Sequence, residues 1–167
     1  MYDFDKYTNY KTVLSVNAFI FCEGKVLMLK RADTKKVDPG MYGGIGGKVE
    51  PHESFSDALA REIEEETGIT EFKIIRPYSI TQHPYPPTDS EWVNLYFIVS
   101  IKEQVEVKPT EDGTFYWIDP NNIDDLPMAE DTKQYLGILS KNQQAFIFGF
   151  FEHDDTGKVV ERTVKVI

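Results

Sequence analysis

Three glutamates near the middle of the chain have a spacing that suits metal-assisted hydrolysis. Residues 54–66 form the clearest predicted helix, and Glu62, Glu65 and Glu66 lie near its C-terminal end. At about 100° per residue, these side chains share an arc of roughly 100° beside the apolar stripe of the helix, whereas Glu64 points away. Like charges at this spacing repel by about 0.2–0.5 kcal/mol per pair, and the C-terminal end of a helix disfavours anions. Local energetics therefore oppose the arrangement.

A hard divalent cation such as Mg²⁺ accounts for the shared arc, because clustered carboxylate oxygens and a backbone carbonyl are its preferred ligands. The arc also faces a glycine-rich stretch, Gly43–Gly47, whose backbone permits close approach to a ligand. The alternative interpretation is structural, with Arg61 paired with Glu65 and the glutamates forming a solvated face. It does not explain why all three glutamates lie on one arc beside the apolar stripe. A bound cation would bridge phosphate oxygens and activate water. The pattern thus favours hydrolysis of a phosphate ester or anhydride.

Strands and two helices surround these glutamates. The helix over 54–66 has a candidate N-cap, an apolar stripe and a left-handed C-cap, which are supplied by Ser54, Phe55, Leu59, Ile63 and Gly68. The other predicted elements are a hairpin over 12–21 and 25–30, a strand near 72–75, a proline-rich loop over 83–89, strands over 92–100 and 116–118, a helix over 130–140 and a terminal hairpin over 145–152 and 158–166. This order predicts an α/β fold in which helices cover a mixed sheet.

Length and composition limit the possible functions. The 167 residues suffice for one domain, 1–167, with a sizeable core. With 18 Lys and Arg against 28 Asp and Glu, the formal charge is −10, which argues against a nucleic acid polymer or an anionic membrane as partner. The apolar runs are too short to span a bilayer, and the start lacks a signal-peptide pattern. The single cysteine, Cys22, is expected to be a buried, inert thiol in a reducing, cytoplasmic compartment.

Nine positions carry a resemblance to a known family. In order they are Gly47, Glu53, Arg61, Glu62, Ile63, Glu65, Glu66, Gly68 and Ile69. They match every fixed position of the Nudix box, G-x5-E-x7-R-E-U-x-E-E-x-G-U with U apolar, over residues 47–69. The surrounding chain also resembles a Nudix domain. The resemblance implies the Nudix fold, an α/β/α sandwich with a mixed β-sheet and a loop–helix–loop, and a pyrophosphohydrolase that cleaves a nucleoside diphosphate linked to another group.

The resemblance implies roles for individual residues. The ligands of Mg²⁺ or Mn²⁺ would be the carbonyl of Gly46 and the carboxylates of Glu62, Glu65 and Glu66. Arg61 would orient Glu65, and Glu53 would lie beside the ligands or bind a second ion. The proton from water would go to Glu62 or to an acid outside the box. For that acid the candidates are Glu111 and Asp112, of which Asp112 aligns better, although acids in such a turn are commonly turn formers.

Segments outside the box are most similar to MutT-type oxidised-purine nucleoside triphosphatases, including 8-oxo-dGTP diphosphatases. These segments are 46–50, 113–117 and 126–131. They imply a small nucleoside triphosphate as substrate, cleaved to monophosphate and pyrophosphate. Candidate substrate-binding residues are Lys48 near the phosphates, Met128 against a base face, and Glu130 and Asp131 at a purine edge. The alternatives are a solvated Lys48, and an N-terminal helix cap for the two acids.

Two departures leave the substrate open. Relatives often carry Trp at or near the position of Met128, and some carry Asn where Gly43 stands, so two groups that read the base are missing. The alternative substrates are ADP-ribose, a sugar nucleotide, a dinucleoside polyphosphate or a pyrimidine triphosphate. Aromatic residues such as Tyr42 and Trp92 could form a base wall or belong to the core. A non-catalytic nucleotide sensor is the alternative from another class, and the complete box argues against it. The oligomeric state is left open.

Overall fold

The computed structural model describes residues 11–167, which form nine strands and two α-helices. In chain order the elements are β1 (Lys11–Cys22), β2 (Lys25–Arg31), β3 (Tyr42–Gly43), β4 (Ile45–Lys48), α1 (Phe55–Thr67), β5 (Lys73–Tyr85), β6 (Ser90–Ser100), β7 (Gly113–Ile118), α2 (Glu130–Lys141), β8 (Ile147–His153) and β9 (Val159–Val166). A 3₁₀ turn, Pro86–Thr88, joins β5 to β6. Within the described range, no helix is long and apolar enough to cross a membrane.

All nine strands belong to one mixed sheet. Its main path runs β3-β2-β1-β6-β5-β8-β9, with β4 paired to β1 and β7 paired to β2. The pairs β1–β6 and β5–β8 are parallel, and the other pairs are antiparallel. Strand β1 therefore has neighbours on both edges, with β6 on one side and β2 and β4 on the other.

The sheet separates two hydrophobic cores, because successive side chains of a strand point to opposite faces. Phe19 of β1 lies in the core that contains Tyr135 of α2. Its neighbours Ala18 and Ile20 lie in the core that contains Leu59 of α1. One helix thus covers each face, and the predicted α/β/α sandwich is confirmed.

Helix α1 begins and ends where the sequence predicts. The N–H of Asp57 donates to Ser54 Oγ at 3.2 Å. At the other end, Gly68 adopts φ 73° and donates its N–H to the carbonyl of Glu64 at 2.8 Å. Phe55, the expected start of the apolar stripe, is 41% exposed. The buried face consists of Ala58, Leu59 and Ile63.

The segment between α1 and β6 differs from the prediction. A strand near 72–75 and a loop over 83–89 are expected, but β5 runs from Lys73 to Tyr85. Pro77 is tolerated because the pairing of β5 with β6 shifts register beside it. Pro84 lies beyond the part of β5 that pairs with β8, so only one neighbouring strand constrains it. The proline content therefore indicated a longer loop than the molecule has.

Candidate active site

The outer edge of β4 lies against the acidic end of α1. The N–H of Gly46 donates to Glu66 Oε2 at 3.3 Å. A Cβ on Gly47 would lie only 2.4 Å from Glu62 Oε1, so the absence of a side chain makes room for that carboxylate. A Cβ on Gly46, whose φ is +155°, would lie 2.0 Å from the carbonyl oxygen of Val16. Gly47 therefore makes room for the Glu62 carboxylate, and Gly46 allows β4 to lie close to β1.

The guanidinium of Arg61 organises the carboxylates at this edge. Its Nη1 donates to Glu62 Oε1 at 2.7 Å and to Glu65 Oε2 at 3.2 Å. Nη2 donates to the carbonyl of Lys48 at 3.0 Å, and Nε and Nη2 donate to the two oxygens of Glu53 at 2.9 Å each. These bonds engage all five N–H donors of an arginine. The Arg61–Glu65 pair is thus present, and Arg61 holds Glu62 as well.

Glu53 serves Arg61 in this arrangement. Both of its carboxylate oxygens accept from the guanidinium, and Oε2 also accepts the N–H of Glu50 at 2.9 Å. These hydrogen bonds hold the pKa of Glu53 below its ordinary value, and the same pairing raises the pKa of Arg61. The geometry thereby supports the first of the two roles expected for Glu53, a position beside the metal ligands.

Glu66 is a carboxyl group in an unfavourable environment. Burial raises its pKa to about 7, and the nearby charges of Glu62 and Asp112 act in the same direction. The N–H of Gly46 and the charge of Arg31 oppose the shift without cancelling it. A cation at the edge of β4 would relieve this repulsion.

The residues at this edge fit a hard divalent cation. They combine the Gly46 backbone with three carboxylates, of which one, Glu66, is a half-buried acid whose ionisation is disfavoured. Among residues 11–167, no three His, Cys, Asp or Glu side chains already converge on one point as metal ligands, because Glu62 and Glu65 turn toward Arg61 while Glu66 turns toward Gly46. The donor set therefore fits the metal in chemical type, while its carboxylates are held by Arg61 and Gly46.

We expect the free energy of unfolding of the metal-free protein to fall as the pH rises from about 4.5 to about 7, the ordinary and the folded pKa of Glu66. In this window the unfolded chain releases the Glu66 proton while the folded protein retains it, so ionisation favours unfolding. The effect is about 2–3 kcal/mol. Denaturant titration in EDTA measures it. Glu66→Gln, which lacks the titration, is expected to remove this part of the pH dependence, and an unchanged slope would contradict the assignment.

Asp112, the expected acid outside the box, lies within electrostatic reach of Glu66. Its Oδ1 is paired with Lys35 Nζ at 2.5 Å, and its carbonyl accepts the N–H of Ala32 at 2.8 Å. The segment between β2 and β3 is thereby attached to the turn before β7. Glu111, the other candidate, is exposed. The geometry therefore favours Asp112 over Glu111.

A polar surface lies beside this edge, on the α2 side of the sheet. Ser15 of β1 donates through Oγ to Asn94 Oδ1 of β6 at 2.6 Å, and Asn17 Nδ2 lies 3.5 Å from Ser15 Oγ. Asn17 is also the β1 partner of Gly46. These three polar side chains were not among the predicted site residues. The signal that could have found them is a polar residue that interrupts an otherwise apolar strand.

Lys48 projects over the same surface. It pairs with Ser15 across β4 and β1, and paired residues of neighbouring strands share a face. Its Nζ lies 5.3 Å from the centroid of the Trp92 ring, a cation–π distance. Lys48 is thus an exposed cation on the α2 side of the sheet, and the half-buried Trp92 borders the polar surface.

The residues expected to read the base have different environments. Met128 is only 8% exposed and packs in the core that contains α2. Glu130 is exposed and accepts a 2.7 Å hydrogen bond from Arg162 Nη1 of β9. Asp131 is half-buried, and burial raises its pKa above the ordinary value. Both acids lie in the first turn of α2, but the N-cap residue is Ala129 and no side chain caps the helix.

A model of the NUDIX domain matches residues 11–137, a range that contains the carboxylates and the glycine edge. The chain belongs to the Nudix family. This Nudix hydrolase is similar to the uncharacterized Nudix hydrolase YvcI of Bacillus subtilis. The two are 33% identical over 132 residues, and the alignment covers 76% of this chain and 78% of YvcI. It is also 35% identical over 112 residues to the nucleoside triphosphatase NudI of Escherichia coli, in an alignment that covers 60% of this chain and 77% of NudI.

Solved structures agree with the family. A MutT protein from Bacillus halodurans superimposes with a TM-score of 0.74 at 22% identity, over 91% of this chain and 97% of that chain. At this identity the likeness shows the fold. The architecture is therefore that of MutT proteins. The family match identifies the chain as a Nudix pyrophosphohydrolase, and Nudix hydrolases generally use divalent metal ions.

Proposed function

We propose that this Nudix hydrolase cleaves a nucleoside triphosphate with a modified or oxidised purine, such as 8-oxo-dGTP, to the monophosphate and pyrophosphate. The observation that carries the proposal is the position of the carboxylate edge directly beside the polar surface under Lys48. A polyphosphate at Glu62 and Glu66 leaves its nucleoside over Ser15 and Asn94. The match to NudI, whose name describes a nucleoside triphosphatase, supports the same substrate class.

The proposed cofactor is Mg²⁺, with Mn²⁺ as a substitute. Its ligands would be the carboxylates of Glu62, Glu65 and Glu66 and the carbonyl of Gly46. When bound, the ion would neutralise phosphate oxygens and acidify a water molecule. Arg61 fixes the orientation of Glu62 and Glu65, and Glu53 in turn fixes Arg61.

Two carboxylates are proposed to accept the proton from the attacking water. Glu62 is held by Arg61 at the β4 edge, and Asp112 is held by Lys35 within electrostatic reach of Glu66. Comparing Glu62→Gln with Asp112→Asn distinguishes them, because only loss of the base should remove the ascending limb of the pH–rate profile.

At the base end, Asp131 is proposed to accept a hydrogen bond from the purine edge. It lies near the Tyr96 hydroxyl and the charge of Asp38. N–H donors on the edge of a base would therefore find carboxylate acceptors there. Glu130, which is paired with Arg162, is proposed to accept a second hydrogen bond from the purine edge. The buried Met128 is proposed to lie beneath the base, within the core. Lys48 is proposed to contact the phosphates.

The proposed substrate is a small molecule in the cytoplasm. The formal charge of −10 disfavours a nucleic acid polymer or a membrane surface as partner. Cys22, the single cysteine, is buried, which fits a reducing compartment.

Product analysis on a nucleotide panel tests the proposal. The panel contains canonical and oxidised nucleoside triphosphates, ADP-ribose, sugar nucleotides and dinucleoside polyphosphates, each with Mg²⁺. We expect the highest kcat/KM for an oxidised purine triphosphate, with monophosphate and pyrophosphate as products. Cleavage of only ADP-ribose or another non-triphosphate would overturn the substrate class, and binding without turnover of any member would indicate a sensor.

A further inference from the structure

One face of the sheet carries an apolar patch that no helix of residues 11–167 covers. Helix α1 packs on β4 and β1, and the same face continues over β6, β5 and β8. There the exposed fractions are 37% for Leu14, 36% for Ile80, 46% for Phe148 and 38% for Phe150. The half-buried Val93 lies among them. We call these five residues the outer apolar face.

Strand register places the outer apolar face in two adjacent rows across β6, β5 and β8. The exposed, polar Gln82 lies between Val93 and Phe150 in one row, and the half-buried Leu95 joins Ile80 and Phe148 in the other. Leu14 is the partner of Val93 across β1 and β6. Ile80 is the partner of Phe148 across β5 and β8, and Phe150 follows Phe148 on the same face of β8. Contiguous exposed apolar surface on a sheet typically marks an interaction site.

The core does not need the outward aromatics of β8. Ile147 and Phe151 are at most 2% exposed and pack against α2. Phe148 and Phe150 alternate with them and point to the other face. A strand with one solvated face alternates apolar residues with polar residues on that face. Strand β8 is instead apolar on both faces, which is the composition of a strand that is buried on both.

The charges beside this face match a second copy of the same chain. Glu152 of β8 and Glu161 of β9 are direct partners on the same side as Phe150, and like charges at that spacing repel. Lys165 of β9 is the partner of Phe148, toward the opposite end. Consider a two-fold axis that is parallel to the sheet and perpendicular to its strands. It stacks the outer apolar faces of two copies and brings the Lys165 end of one copy toward the Glu152–Glu161 end of the other.

We propose that the outer apolar face is the contact surface of a homodimer, in which Lys165 of each copy lies against Glu152 and Glu161 of the other. The apolar residues supply the buried centre, and the charges at the two ends select the antiparallel orientation. The proposal depends on the shape and charge of this face and is independent of the substrate.

Sedimentation equilibrium tests the assembly. The intact protein is expected to have twice the chain mass of 19.2 kDa. The double variant Phe148→Glu/Phe150→Glu is expected to weaken association by at least about 100-fold. Val105→Glu changes an apolar residue that is 40% exposed outside this face, and it should leave the dimer intact. Circular dichroism and thermal melting verify that each variant is folded.

Charge reversal tests the orientation without altering the apolar centre. Lys165→Glu is expected to weaken association by about 10-fold or more, and combining it with Glu152→Lys and Glu161→Lys should restore it. A monomeric intact protein would overturn the proposal. A dimer that survives Phe148→Glu/Phe150→Glu, or one that Val105→Glu disrupts equally, would also overturn it. Failure of the reversed charges to restore association would refute the antiparallel orientation.

Discussion

Replacing Glu65 by Gln is expected to lower kcat by about 10²–10⁴-fold, with a much smaller loss of nucleotide affinity. The amide keeps the size of the side chain but removes the negative charge that the proposed cation requires. Glu65 Oε2 is also one of the two carboxylate oxygens that Arg61 Nη1 holds. The side chain is largely exposed, so the substitution should leave the fold unchanged.

Glu64→Gln is the matched control. Glu64 has the same side chain, lies next to Glu65 on α1 and is exposed, and its carbonyl, which the substitution preserves, accepts the Gly68 N–H. Its rate should therefore equal that of the unaltered enzyme within about 2-fold. Steady-state kinetics and nucleotide titration measure both variants. Equal loss of rate in the two would show that charge on α1 as a whole matters, and retained activity in Glu65→Gln would remove Glu65 from the site.

This comparison also separates an enzyme from a sensor. A hydrolase loses turnover when Glu65 is changed and keeps most of its affinity, whereas a sensor has no turnover to lose. The intact protein must be measured first, because a rate above background on any panel member establishes the reference.

Replacing Arg61 by Lys is expected to lower kcat by about 10–10³-fold and to reduce the melting temperature. An ammonium group has three donors at one point, so it cannot reproduce the fork that binds both oxygens of Glu53 and still reaches Glu62 and Glu65. The positive charge would remain, but the carboxylates would lose the forked hydrogen bonds that orient them.

Glu53→Gln distinguishes orientation from direct contact with substrate. If Glu53 acts only through Arg61, Glu53→Gln and Arg61→Lys should each keep the KM of the unaltered enzyme and lower kcat. The double variant should then have a kcat little lower than that of either single variant. Fully additive losses would contradict the arrangement, as would an Arg61→Lys enzyme with normal rate and melting temperature.

Helix α1 and its three glutamates follow from the sequence alone. The N-cap at Ser54, the C-cap at Gly68 and the arc of Glu62, Glu65 and Glu66 depend on hydrogen bonds and spacings within a few residues, which the sequence displays directly. The hairpin of β1 and β2 is local in the same sense, and its turn at Glu23 and Gly24 has φ values of 49° and 78°.

The contacts made across the sheet are not visible in the same way. Ser15 and Asn94 are 79 residues apart and meet because β1 and β6 pair in parallel. Strand β5 is longer than its prolines indicate, because its pairing with β6 continues to Tyr85, beyond the part that β8 pairs with. The hydrogen bonds between Glu53 and Arg61 also required the structure, since the box alone does not show which side chain Glu53 contacts.

The sequence therefore determined the family, the acidic helix and the order of most elements, because each rests on local spacing and residue type. It did not indicate β3 and β4, whose residues are mainly glycines and which form through pairing with β2 and β1. Tertiary structure alone decided the polar surface beside the carboxylates, the burial of Met128 and the alternation of β8 between a core face and an exposed apolar face. Local periodicity predicts that a strand has two faces, but only the position of α2 decides which one is buried.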